Sequence, residues 1–153
     1  MDKLTFKKRV LQRAKEEQQK LIEDFINQIK ELQRCEEIAN NDQLDEQQQS
    51  LDSSKSDLIS AISDELNFAK EEMELLDKMQ VGNKAADFVT IGSVVKTDSM
   101  TFFPSVSIEK FVVNGEELFG LSLKAPIYGE MKGKKKGESF QYKGAEYKIL
   151  ELF

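Results

Sequence analysis

Apolar residues in the first half of the chain recur in alternating steps of three and four. From Leu4 to Ala39, the positions Leu11, Ala14, Leu21, Phe25, Leu32, Cys35 and Ala39 fall on one heptad seam, interrupted by Gln18 and Gln28, and Ile22, Ile26 and Ile29 widen it. This spacing collects apolar side chains on one face of a helix. At about 1.5 Å per residue, roughly 35 residues reach near 50 Å, too long for a helix inside a compact small domain. A second stripe, Leu51, Leu58, Ile62, Leu66, Ala69, Met73 and Leu76, predicts a partner helix from about Ser50 to Gln80, with Ser50, Asp52 and Ser53 as N-cap candidates and Gly82 beyond its end. Two such helices separated by a polar break predict an antiparallel coiled-coil hairpin. Equal arms put its turn at Asn40-Asn41-Asp42; a shift by four residues would put Glu46 there instead.

After Asn83 the pattern changes to short runs of strand character. Val89 to Lys96 reads as a first strand. Ser107 to Val113 and Leu118 to Lys124 flank Asn114-Gly115, a pair that accepts the positive φ angles of a tight hairpin turn. Glu116-Glu117 leaves the register of that hairpin open. Pro126 suits the first position of a short helix and Gly133 its end. Glu138 to Lys143 and Glu146 to Leu152 form a second hairpin around Gly144-Ala145. Met100 to Pro104 reads as an apolar loop that either meets a partner or closes one end of the core. The expected fold class is α+β: a helical hairpin over residues 1–82, then a small antiparallel sheet domain with one short helix over residues 83–153. A domain that small leans on the base of the hairpin for part of its core.

Composition supports the division. Residues 1–80 are strongly acidic and lack Gly and Pro, whereas residues 81–153 are near neutral and hold both prolines and all 8 glycines. A net charge of −6 disfavours nucleic-acid binding over the whole surface and gives no basis for sequence-specific DNA recognition. No apolar run approaches the roughly 20 residues of a membrane span, and Met1-Asp2-Lys3-Leu4 does not open a signal peptide, so a cytoplasmic protein without membrane contact is expected. The lone Cys35 reads as a packed thiol. With 0 His, Ser/His and Cys/His nucleophile systems and H-E-x-x-H zinc sites are excluded. Lys132, Lys134, Lys135 and Lys136 do not make a Walker A loop, and with no aromatic residue interleaved they read as a solvated turn.

Between Arg34 and Lys55 there is no basic residue, while Glu36, Glu37, Asp42, Asp45, Glu46 and Asp52 are acidic. The second half then supplies a resemblance. The order VTIGSVVK, a strand pair, LSLKAPIYGEMKGKKKGE and a closing YKILEL resembles the C-terminal domain of the Gre-type bacterial transcript cleavage factors. Gly92 and Ser93 match a Val-x-x-Gly-Ser-x-Val strand. Pro126, Ile127, Met131, Gly133, Lys134, Gly137 and Glu138 match a Ser-Pro-[Leu/Ile]-Gly-x-x-[Leu/Met]-x-Gly-Lys-x-x-Gly-[Asp/Glu] segment. Ala125 stands where Ser is usual, and Tyr128-Gly129 displaces the motif glycine by one place.

The resemblance implies a C-terminal domain related to the FK506-binding proteins that docks on bacterial RNA polymerase at its secondary channel. Ala125, Pro126, Ile127, Tyr128 and Met131 would lie in the docking segment. It also implies a monomer whose hairpin tip reaches the polymerase active site. There Asp42 and Asp45, with Glu46 as a substitute, would help hold a catalytic Mg2+ that belongs to the polymerase, so that backtracked RNA is cleaved by the polymerase itself. The chain then has no cofactor of its own and is not an enzyme by itself. Magnesium takes hard oxygen ligands and keeps waters, so one or two carboxylates can complete a half-built site. Aligned on the family's Asp-Leu-x-Glu, Asp42 and Asp45 are spaced i, i+3, on one side of a helical turn. The tip departs from the family in having Asp45 for Glu and lacking the following Asn and Tyr. A cleavage-deficient polymerase regulator is therefore an alternative, as is a coiled-coil adaptor with an acidic end. A prolyl isomerase is disfavoured, because nothing in a chain with 0 Trp and 3 Tyr marks the aromatic pocket it needs.

Overall fold

The computed structural model describes residues 2–39, 46–80 and 85–153, of which 35–39 and 46–52 are described by their backbone alone. The chain forms an α+β structure in the order α1 (Lys3–Ala39), α2 (Glu46–Lys78), β1 (Val95–Thr97), β2 (Thr101–Ser105), β3 (Ile108–Val113), β4 (Glu116–Ser122), α3 (Pro126–Met131), β5 (Ser139–Tyr142) and β6 (Ala145–Leu152). Two compact units divide it, one of Met1–Glu17 with Glu74–Phe153, the other of Gln18–Met73.

The helical unit is held by Ile22, Leu66 and Ala69, against which Phe25, Ile26, Ile29 and Met73 pack. Its seam differs from the expected one. Leu21 is 37% exposed and Leu58 49%, whereas Gln18, taken as an interruption, is buried at 1%. The observed seam therefore runs through Gln18, Ile22, Phe25 or Ile26, and Ile29. The Gln18 Nε2 donates to the Ala69 carbonyl at 2.9 Å, while its Oε1 is buried with no hydrogen-bond partner among the described residues. A half-satisfied amide inside an apolar seam costs stability. Helix α2 begins at Glu46, so Ser50, Asp52 and Ser53 lie inside it and do not cap it; Glu46-Gln47-Gln48-Gln49 are good helix formers that carry the helix further toward its N-terminus. The expected turn at Asn40-Asn41-Asp42 and the stop at Gly82 lie outside the described residues.

In the other unit, Asp2 caps α1: its carboxylate accepts from the Leu4 N–H at 3.2 Å and from the Thr5 hydroxyl at 3.1 Å. These hydrogen bonds, that of Leu4 first, hold its pKa below the usual aspartate value. Phe6, Val10, Leu11, Ala14 and Leu76 are buried, so both helix ends contribute apolar surface to this unit. The six strands form one sheet in the order β3-β4-β2-β1-β6-β5. A core of Val89, Val95, Phe102, Leu121, Tyr128, Met131, Phe140, Ile149 and Leu152 covers one face.

The sheet is mixed where an antiparallel one was expected. β2 runs parallel to β4, with Phe102 opposite Phe119 and Ser105 opposite Ser122, and antiparallel to β1. Within Met100 to Pro104, the residues from Thr101 onward thus belong to a central strand, not a loop. Proline rarely enters a central strand, because it brings no N–H to the ladder. Here the Pro104 carbonyl still accepts from the Gly92 N–H at 2.8 Å. Successive strand side chains face opposite sides, and Phe102 and Phe103 are both buried, so β2 shows no alternation to read. The expected first strand shrinks to Val95–Thr97 because a turn at Thr90–Ser93, with Gly92 at φ +80°, interrupts it.

Both hairpins close on two-residue turns. Asn114 and Gly115 have φ of 51° and 82° and join Val113 to its partner Glu116, which settles the register. In the second, Lys143 and Gly144 have φ of 50° and 78° and join Tyr142 to Ala145. That turn lies one residue earlier than expected, since a lysine with positive φ is not a recognisable turn signal.

Candidate functional site

The two segments that carry the resemblance meet in space. In the first, the Ser93 hydroxyl donates to the Thr90 carbonyl at 2.6 Å and accepts from the Thr90 N–H at 3.2 Å. This closes the turn that Gly92 permits, and Ser93 is 1% exposed. In the second, Pro126 occupies the first turn of α3 after Ala125, which offers no side-chain cap. The chain leaves α3 through Gly133 at φ +76° and turns again at Gly137, φ +89°. Two backbone hydrogen bonds join the segments: Val89 N–H to the Lys134 carbonyl at 2.8 Å, and Gly133 N–H to the Val89 carbonyl at 2.9 Å. A third and fourth, between Gly137 and Ile149 at 2.8 Å and between Ile149 and Glu138 at 2.9 Å, tie the end of the segment to β6. At these three glycines an L side chain would carry positive-φ strain.

The sequence candidates fall into different environments. Tyr128 and Met131 are buried in the core at 6% and 0% exposure, and burial pushes the Tyr128 hydroxyl pKa up. Ala125 and Ile127 are partly buried against the same core. Pro126 is exposed. Lys132, Lys135 and Lys136 are exposed and Lys134 is half-buried. Asp42 and Asp45 lie outside the described residues, as do the side chains of Glu46 and Cys35. Among the described residues, no group of three or more Cys, Asp and Glu side chains could hold a metal ion, and no helix is long and apolar enough to cross a membrane.

A second constellation has no sequence signal. The Lys96 ammonium lies 5.4 Å from the centre of the Phe6 ring and 5.8 Å from that of Phe153. It is 2.9 Å from Glu116 and 3.9 Å from Glu151. Phe6 and Phe153 meet edge to face at 6.0 Å, and Lys3 stands 5.4 Å over Phe153. These groups, with Asn114, line a shallow recess of about 290 Å³. They tie the start of α1 to β1, β4 and β6. The chain's own lysine fills the aromatic corner, which marks a structural clasp and leaves no cage for an external cation.

No family model matches this chain, and no curated protein matches it by sequence. Among solved structures it is similar to the crystal structure of GreA factor homolog 1 (Gfh1) protein of Thermus thermophilus, at 14% identity and a TM-score of 0.34, over 94% of this chain and 92% of that one. A likeness this distant says nothing about activity.

Proposed function

We propose that this chain is a Gre-like transcription elongation factor that binds a bacterial RNA polymerase and delivers an acidic hairpin tip toward the polymerase active site. One observation carries the reading. The Gly92-Ser93 and Pro126-to-Glu138 segments, far apart in sequence and matched together as parts of one resemblance, are hydrogen-bonded to one another through Val89, and Gly92, Gly133 and Gly137 all adopt positive φ. The motif residues thus serve one backbone arrangement, which supports the reading.

In this reading α1 and α2 carry the segment between Arg34 and Lys55, in which every charged residue is acidic. Asp42 and Asp45, with Glu46, supply carboxylate oxygens that help orient a magnesium ion belonging to the polymerase. The chain contributes ligands and position, and the polymerase performs the phosphoryl displacement on its backtracked RNA. A coiled-coil adaptor would instead use the helical stripes to bind a second copy or another helix.

Gel filtration separates the two. The full chain should run as a monomer alone and co-migrate with purified bacterial RNA polymerase. A stable dimer that ignores the polymerase would contradict the proposal.

A further inference from the structure

We infer that Lys7 and Lys3 hold a small oxyanion, of the size of inorganic phosphate, in a recess beside the start of α1; this binding site is additional to the contacts the proposed function requires. Lys7 is the residue that calls for a ligand. It is buried at 6% exposure, whereas its neighbour Lys8 on the same helix is exposed. Lysine is almost never buried to this degree unless it is paired. Among the described residues, no ion pair or side-chain hydrogen bond involves Lys7. Burial accordingly holds its ammonium pKa below the usual lysine value, the direction expected of a cation short of a counter-charge.

A space for that counter-charge lies against it. Lys7 lines a recess of about 210 Å³ with Asp2, Lys3, Leu4, Ala85 and Phe153, all of them in one compact unit. The oxygens already there are engaged. Asp2 accepts from the Leu4 N–H and the Thr5 hydroxyl as the cap of α1, and the Phe153 oxygen accepts from the Val94 N–H at 2.7 Å. Lys3 stands 5.4 Å over the Phe153 ring, which fixes a second ammonium at the wall of the recess. Two cations against one committed carboxylate leave the recess positive.

Size and charge together select the ligand. The volume is below the roughly 300 Å³ at which pockets for drug-sized molecules begin, so the recess suits a single tetrahedral ion with its waters and is too small for a nucleotide. A metal cation would be repelled by both ammonium groups. A neutral apolar molecule would leave the Lys7 charge unpaired and further from water. An oxyanion supplies the missing acceptor, through charge-assisted hydrogen bonds to Lys7 and Lys3.

The test titrates inorganic phosphate into the full chain by isothermal titration calorimetry, with ionic strength held constant by sodium chloride. The wild type should bind one phosphate. Lys7→Met, which keeps the stem and removes the charge, should weaken binding about tenfold or more; Lys3→Met, at an exposed position, should weaken it by about two- to fivefold; Lys8→Met should leave it unchanged. In phosphate-free buffer Lys7→Met should melt at or above the wild-type temperature, because no buried charge is left unpaired. Lysine side-chain NMR of the labelled wild-type chain gives a readout free of any substitution: the Lys7 resonance should move with phosphate and that of Lys8 should stay. No saturable binding to the wild type, the outcome for a lysine that only extends its ammonium to water, would overturn the site. Binding that Lys7→Met retains, equal losses in Lys7→Met and Lys8→Met, or a Lys7 resonance that ignores phosphate would overturn it as well.

Discussion

Replacing Gly120 by alanine should destabilise the sheet unit more than any other single-methyl addition to its surface glycines. Gly120 lies in β4 between two neighbours, opposite Ile108 of β3 and Phe103 of β2. A methyl group there would fall 2.6 Å from the Val106 carbonyl oxygen, 2.7 Å from Ile108 Cβ and 2.9 Å from Ile108 N. Ordinary carbon contacts lie near 3.5 to 4.0 Å, so β3 must retreat by roughly an ångström or give up its pairing. Two of the three obstacles are backbone atoms, which no rotamer change relieves. Overpacking of this kind costs about 1–3 kcal/mol, and the upper end applies here. For a chain of this size about 3 kcal/mol lowers Tm by roughly 6–12 °C.

The 3 tyrosines, Tyr128, Tyr142 and Tyr147, all lie in the sheet unit and the chain has 0 Trp, so tyrosine fluorescence reports that unit while ellipticity at 222 nm is weighted to the long helices. Gly129→Ala is the control, because nothing lies within 4 Å of a methyl group there and alanine favours helix by about 1 kcal/mol. A Gly120→Ala chain whose tyrosine-detected melt matches that of the control would refute the close-approach argument.

Other expectations concern polar groups. Lys96→Met removes the ion pairs to Glu116 and Glu151 and the contacts with Phe6 and Phe153; with half-exposed partners the loss should be about 1–2 kcal/mol in urea unfolding and should shrink in high salt. A stabilised variant would contradict the clasp. Gln18→Leu should raise the 222 nm melt by about 1 kcal/mol equivalent, because the orphaned Oε1 is removed; a clear loss would show that the bond to Ala69 outweighs the buried oxygen. Burial holds the folded Tyr128 pKa above the unfolded value of 10.0. Its neutral phenol therefore contributes stability that is complete below pH 10 and is lost as pH rises through the folded pKa. Tyr128→Phe should flatten that alkaline loss in denaturation midpoints measured from pH 9 upward, and an unchanged slope would contradict it.

Local features were legible in the sequence. The helices and both hairpin pairs follow from periodicity and from Asn114-Gly115 and Gly144, whose signals lie within a few residues of the structure they produce. What stayed hidden depends on distant parts of the chain. β2 gave no alternation because both its faces are buried, and Pro104 argued against a central strand, so the parallel pairing with β4 had no local trace. Gln18 resembled a break in the stripe because its compensation, the Ala69 carbonyl, comes from the other helix. Lys96 is one exposed-looking lysine until Phe6, Phe153, Glu116 and Glu151 gather around it. The motif segment from Ala125 to Met131 was legible as a segment, but its alternation between buried Tyr128 and exposed Pro126 is set by how α3 sits on the core.

The central claim is tested most directly with bacterial RNA polymerase halted in a backtracked complex carrying end-labelled RNA, to which the full chain or its Asp42→Ala/Asp45→Ala form is added. Shortening of the RNA by the wild-type chain, absent with the double variant, is the result expected from tip carboxylates acting at the polymerase's magnesium. RNA of unchanged length with the wild-type chain, under conditions where it is bound to the complex, would contradict cleavage and assign the chain to a non-cleaving regulator of the polymerase.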